Sequence, residues 1–364
     1  MKKSLLALAV LGAYAGVASA QSSVTIFGVV DLSVNQIKNG DAKTTSMQSN
    51  QLNSNRLGFR GFEDMGGGLG AGFWLEAGMN NEGGNVGGAN GSAGSAPAAG
   101  INAPGNGQST FFNRRSTVSL VSQAGGEIRL GRDYTPSFWN LAYFDVFGAN
   151  GIANSTSLVQ LANPVGQAST TGVRANNTVG YLLPGNLGGF YGQIQYALGQ
   201  GNDNNKYWGA RGGFAAGPFD FALGYGETDT ANADKFKVVN LGGSWNFGFA
   251  KFFALVQQAK FSSLKQDFWE LSVGVPLGQG EFRAMYGSVD DKGTLGAFNF
   301  NNTDATVWGL QYIYNLSKRT AIYGGYSSLD NDPGSARSVL PGTAAANLAG
   351  NTSSGFNVGV RHSF

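Results

Sequence analysis

From residue 21 onward, apolar and polar positions alternate at period two over segments of about ten residues, with turn residues between them and little helical periodicity. The last segment is the clearest. Phe356, Val358, Val360, His362 and Phe364 take one face, and Asn357, Gly359, Arg361 and Ser363 take the other. The same dyad sets Trp308, Leu310, Tyr312 and Tyr314 against Val307, Gly309, Gln311 and Ile313. Near the start, Leu57 and Phe59 oppose Arg56, Gly58 and Arg60, while Phe73, Leu75, Ala77 and Met79 oppose Trp74, Glu76 and Gly78. Strands of this kind suit hydrocarbon on one side and fluid on the other.

The connections set the expected architecture. Short turns fall near residues 65–68, 123–126, 184–188, 215–218, 247–249, 277–280 and 316–319. Longer polar connections fall near 38–50, 80–113, 135–173, 200–205, 228–233, 261–264, 290–302 and 330–353. Seven turns alternating with eight loops predict an all-β, transmembrane antiparallel β-barrel of about 16 strands, the weak stretch 257–266 leaving that count open by about two. A ring of that size keeps a wet lumen, whereas about eight strands would fill with side chains. It forms one domain, because splitting it would leave unpaired strand edges in lipid.

The N-terminus predicts export. Lys2 and Lys3 precede an apolar run over residues 5–17 that ends in Ala18, Ser19 and Ala20, the layout of a cleavable signal peptide. Cleavage is expected after Ala20, giving a signal peptide 1–20 and a barrel 21–364. The run is shorter than the roughly 20 residues a spanning helix needs.

Composition narrows the class. Charged residues make up 13% of the chain, about half the share of a soluble globular protein, while 12% is aromatic and 58 residues are glycine. So few charges make a poor water-facing exterior, whereas aromatics suit the interfacial girdles of a barrel. The formal net charge of +2 belongs to the two leader lysines, so a nucleic-acid partner has no support from overall charge. There is no cysteine, consistent with a ring held by strand closure.

Several blocks carry a family resemblance: Gln21-SSVTIFGVVD-Leu32, Ser54-NRLGFRGFEDMGGGLGAGFWLE, Arg114-RSTVSLVS, Gly126-EIRLGRDYTP, Gly172-VRANNTVGY, Tyr312-IYNLSKRTAIYGGY and Asn357-VGVRHSF. Together they resemble the general porins of β-proteobacterial outer membranes, across essentially all of the mature chain. The resemblance implies a homotrimer of 16-stranded barrels in outer-membrane lipid, passing small hydrophilic solutes and ions. It also implies a third loop folded inward to form a constriction, which here is 135–173. The aromatic and apolar stretch 136–152 suits a loop packed on a wall better than one facing water.

Arginine placement supplies the expected mechanism. Arg56 and Arg60 share the lumen face of the second strand, and Arg174 shares a predicted inward face with Asn176 and Thr178. In the fourth strand, alternation puts Arg115 inside with Thr117 and Ser119, while the resemblance suggests Arg114; the two remain alternatives. Glu76 and Asp145 are the candidate opposing charges. Basic and acidic walls of this kind make a transverse field across a bore. An excess of arginines predicts weak to moderate anion selectivity. The bland alternative is that these arginines are salt-bridged and merely stiffen the wall.

Other signals carry less. Gly66, Gly68 and Ala71 fit a loose nucleotide-binding pattern, but the segment joins strand to strand with no helix to receive a phosphate. His362 is the sole histidine and has no nucleophile or metal-ligand cluster near it in sequence, so no enzyme activity, metal or cofactor is expected. By resemblance, Phe364 is the barrel-assembly signal. Arg132 shares the outward side of Ile128 and Leu130, which is costly in lipid, and is therefore expected at a subunit contact, with Glu82 of a neighbour as its candidate partner. The resemblance also implies a second loop that latches a neighbour, a role put in question by the Gly, Ala, Asn and Ser of 83–107. Two rival readings remain: a solute-specific channel, and a structural or adhesive barrel with a plugged lumen.

Overall fold

The computed structural model describes residues 23–86, 111–159, 171–199, 206–229, 234–340 and 348–364. The leader and its cleavage after Ala20, most of the 83–107 stretch and residues 160–170 of the third connection lie outside the described residues.

Sixteen antiparallel strands close into a barrel. They are β1 (Ser23–Asn39), β2 (Ala42–Ser49 continued by Arg56–Gly66), β3 (Leu69–Asn80), β4 (Arg115–Ser122), β5 (Gly126–Tyr134), β6 (Arg174–Leu182), β7 (Phe190–Ala197) and β8 (Tyr207–Ala216). They continue with β9 (Phe219–Asp229), β10 (Lys235–Asn246), β11 (Lys251–Phe261), β12 (Leu264–Leu277), β13 (Gly280–Lys292), β14 (Ala305–Asn315), β15 (Thr320–Asn331) and β16 (Ser353–Ser363). Each strand pairs with the next, and β1 closes the ring on β16 over the register Val29↔Ser363 to Asn39↔Ser353. Closure leaves no open edge, which a bilayer demands.

The seven short turns lie where the alternation breaks. At the first, Gly66, Gly67 and Gly68 take φ of +80°, +62° and +77°, a left-handed run that only glycine adopts without strain. That tight return joins two strands and makes the nucleotide-binding pattern a turn. The loops differ in two places. Most of the predicted first loop is strand, turning at Gly40, and residues 261–264 reduce to a tight turn joining β11 directly to β12. The weak stretch 257–266 is therefore paired on both sides of that turn.

Alternate side chains divide as the period requires. Val24, Ile26, Val118, Leu120, Leu223, Leu241, Val256, Leu271, Leu310, Val358 and Val360 stand exposed on the outside. The rings of Trp208 and Tyr225, Trp269 and Tyr286, and Trp308 and Tyr326 pair across neighbouring strands 4.9 to 5.6 Å apart. A second aromatic band, Phe214, Phe219, Trp245, Phe247 and Phe252, gathers at the short-turn end. An apolar surface flanked by aromatic bands is the exterior expected of a membrane barrel.

After β5 the chain forms a helix, α1 (Pro136–Phe144), started by Pro136 in the first turn, where a missing N–H costs nothing. Leu141 and Phe144 of α1, with Val146, Phe147, Ile152 and Leu158, share a buried cluster with Leu255, Phe268, Met285, Val289, Val307 and Leu329. These strand residues lie on the side opposite the exposed apolar face. Small residues make room: a Cβ on Gly242 would stand 2.2 Å from Phe144, and one on Gly309 2.1 Å from Ala153. The Asn140 side chain donates to the Ala222 carbonyl at 2.9 Å, and Asn240 donates to the Ser137 carbonyl at 2.8 Å.

Strand β2 is interrupted over residues 50–55. The Asp31 carboxylate accepts from the backbone N–H groups of Leu52 and Asn53, at 2.6 and 2.7 Å. The detour meets the segment after α1 where the Ser54 hydroxyl donates to Asn150 Oδ1 at 2.7 Å.

Candidate functional site

Two arginine clusters occupy the side of the wall turned away from the exposed apolar face. In the first, β2 contributes Arg56 and β3 contributes Glu76. The Glu76 carboxylate accepts from Arg114 Nε at 2.5 Å, pairs with Arg56 at 3.4 Å and takes a third bond from the Trp74 indole at 3.1 Å. The Tyr134 hydroxyl, at the end of β5, accepts from Arg114 and Arg174, each at 2.8 Å. The Arg174 guanidinium also lies 4.3 Å from the Tyr134 ring centre. Arg56, Arg114, Arg174, Tyr134, Phe138, Trp139, Tyr143, Asp145 and Arg283 line a cavity of about 370 Å³.

The second cluster lies nearer the short turns. The Arg60 guanidinium lies beside the edge-packed Phe27 and Trp74 rings, 5.4 and 5.3 Å from their centres, and Arg115 sits 4.7 Å from Trp74. Arg129 binds Glu127 and Asp133, each at 2.7 Å, and Asp133 lies 3.7 Å from Arg115. Arg60, Trp74, Arg115, Glu127 and Arg129, together with Thr25, Thr117 and Ser119, line a cavity of about 360 Å³.

Arg114 and Arg115 thus diverge, Arg114 into the first cluster and Arg115 into the second. Arg115 obeys the alternation of β4. Arg114 stands one residue before that strand, where its N–H donates to the Glu76 carbonyl at 3.1 Å and alternation no longer governs its side chain.

Asp145 directs its carboxylate into its own loop. The oxygens accept from the N–H of Phe147 at 2.7 Å, from those of Ala149 and Ser155 at 3.1 Å each, and from the Ser155 hydroxyl at 2.8 Å. Burial pushes this carboxyl above the ordinary aspartate range, while the four donors pull the other way. It staples residues 145–155 into one turn.

Arg132 sits at a bulge in β5, where Gly131 takes a φ of +126° and the register shifts before Asp133. Its Nε donates to the Asn113 carbonyl at 2.6 Å, and its Nη1 to Asn176 Oδ1 at 2.5 Å. The Glu82 carboxylate accepts from the Ser49 hydroxyl. Phe364 exchanges backbone bonds with Gly28 at 3.0 and 3.1 Å and keeps an exposed ring. His362 faces outward, its Nδ1 2.9 Å from the Thr320 hydroxyl.

Sequence reading missed Arg129, Arg211 and Arg283. All three were within its reach, because each falls on the face opposite its strand's outward residues, Arg129 opposite Ile128 and Leu130 for example. The Arg211 guanidinium lies 5.0 and 4.8 Å from the Tyr143 and Tyr191 rings and donates to Asn140 Oδ1 at 2.8 Å. Tyr134 carried no comparable signal.

Comparison with known proteins agrees with this architecture. A profile of the family described as Gram-negative porin matches residues 7–334. Outer membrane porin protein 32 of Delftia acidovorans is 38% identical over 100% of both chains, and an outer membrane porin protein of Bordetella pertussis is 27% identical over the same coverage. Among solved structures, an anion-selective porin from Comamonas acidovorans shares 34% identity and superposes with a TM-score of 0.79, covering 94% of this chain and 100% of that one. In-vitro folded OmpT of Vibrio cholerae, 13% identical with a TM-score of 0.64 over 96% of this chain and 99% of that one, shares the fold alone. With sixteen strands closed under an apolar belt and relatives matched end to end, the chain belongs to the Gram-negative porin family and is a porin-type diffusion channel of the outer membrane.

Proposed function

We propose that this channel prefers anions, that residues 135–173 are its inward-folded third loop, and that the two arginine clusters form its constriction. The observation that carries the reading is the charge balance of the first cavity. Arg56 and Arg114 share one carboxylate, Glu76, and Asp145, an acid in the cavity lining, spends its oxygens on its own loop. Arg174 and Arg283 line the same space, Arg283 with the Glu281 carboxylate beside it at 3.1 Å, so four arginines face fewer free carboxylates. Guanidinium stays charged at any physiological pH, so the excess is permanent. The surrounding low-dielectric wall focuses it on a passing ion. The buried cluster joining 141–158 to the strand faces away from lipid supports the inward fold, and the Comamonas relative carries anion selectivity in its name.

The wider assembly follows the family. The mature chain begins at Gln21 after cleavage behind Ala20, three copies associate in outer-membrane lipid, and Phe364 serves as the assembly signal. Arg132 stands at the contact between copies, reaching beyond the chain with the donors that Asn113 and Asn176 leave unused.

Charge removal tests the selectivity. Arg56→Gln and Arg174→Gln should each lower the chloride-over-potassium preference measured across a planar bilayer. If neither variant changes it, the filter lies elsewhere.

A further inference from the structure

The helix α1 leaves two aromatic rings partly uncovered: Tyr143 donates its hydroxyl to Asp220 at 2.8 Å and carries the Arg211 guanidinium 5.0 Å from its ring, and Trp139 packs 5.6 Å from the Tyr134 ring. Docking uses Pro136, Ser137, Asn140, Leu141 and Phe144, which are all buried. Trp139 and Tyr143, four residues apart and so neighbours on one helix face, are 42% and 45% exposed. Both line the first cavity, where the uncovered part of each ring meets water. A ring left wet in a bore is available to a solute.

The same cavity offers reachable cations. Arg114 is only 4% exposed in its side chain, whereas Arg56 and Arg283 keep 27% and 21%. Arg56 pairs with Glu76 at a loose 3.4 Å, and Arg283 meets Glu281 at 3.1 Å. Neither contact uses the whole donor fork, which binds a carboxylate through two parallel N–H groups. At about 370 Å³ the space is of the size that holds small ligands.

We propose that the bore carries a binding site for small aromatic carboxylates, in which Trp139 and Tyr143 receive the ring and Arg56 and Arg283 receive the carboxylate. The inference rests on the anion-channel reading above and adds a solute class to it. Chloride satisfies only the cations, and an uncharged ring satisfies only the aromatics. An aryl carboxylate satisfies both, because planar rings stack offset or edge-on while the charged head sits in the guanidinium fork.

The test measures chloride current through single channels in a planar bilayer as sodium benzoate, acetate or cyclohexanecarboxylate is added. Benzoate should reduce the current at concentrations where the other two, of equal charge, leave it unchanged. Trp139→Ala should raise the half-blocking benzoate concentration about fivefold, the contribution of one aromatic pair, and Trp139→Phe should recover most of the block. Equal block by all three anions, or an alanine variant as sensitive as the parent, would overturn the inference. The wild-type reversal potential in a KCl gradient separates the two readings. A cation preference overturns the anion reading and this inference with it, whereas an anion preference with no discrimination among the three carboxylates overturns only the aromatic site.

Discussion

Glu76 is the residue on which the first cluster turns. Its carboxylate is buried, holds two arginines and accepts an indole N–H. Glu76→Gln preserves its shape and removes the charge, leaving Arg114 buried without its anion. Breaking a buried pair in this way costs about 3–5 kcal/mol. The variant should therefore unfold at lower temperature and show a higher chloride preference, checked by heat-induced unfolding in detergent and by bilayer selectivity. A lower chloride preference would mean that Glu76 does not offset the arginines in the bore. At this scale the sequence was legible where alternation holds: Arg56, Arg60 and Arg115 lie where period two puts them. Alternation placed neither Arg114, which the resemblance alone suggested, nor Tyr134. Arg114 precedes its strand, and Tyr134 follows the bulge at Gly131, so neither obeys the period.

Among the elements, the segment from α1 to Leu158 depends on close fit. Phe144 presses on Gly242 so tightly that any side chain there must displace it. Overpacking a filled core costs about 1–3 kcal/mol. Gly242→Val is expected to loosen the loop, raising single-channel conductance and admitting larger sugars in a liposome-swelling assay. Unchanged values in both would show that the loop does not set the aperture. The apolar run 136–152 signalled this packing, because a water-exposed loop has no use for so many rings. The interruption of β2 gave no such signal. It is held by Asp31, about twenty residues earlier in the chain, and long-range bonds leave no local pattern. The first part of β2 was read as loop for a related reason. Its residues Lys43, Thr44, Thr45 and Ser46 are polar on both faces, so the dyad is invisible even though the strand pairs with β1 throughout.

For the whole molecule, strand number follows from counting turns, and the exterior follows from the scarcity of charge. The inner wall departs from the simple division of dry outside and wet inside. Where the third connection lies, the strand faces opposite the lipid belt are apolar, as at Leu255, Phe268 and Val307. On the proposed reading, copies associate over the outer surface near Arg132. Arg132→Ala should lower the temperature at which trimers dissociate on a semi-native gel, and an unaltered dissociation temperature would place the contact elsewhere. The account as a whole rests on a water-filled bore whose walls carry more fixed positive than negative charge. Its most direct test is the zero-current potential of the wild-type channel between unequal KCl solutions. The sign should report chloride crossing faster than potassium, by a margin that shrinks as salt is raised and the charges are screened. A potential of the opposite sign would contradict the account.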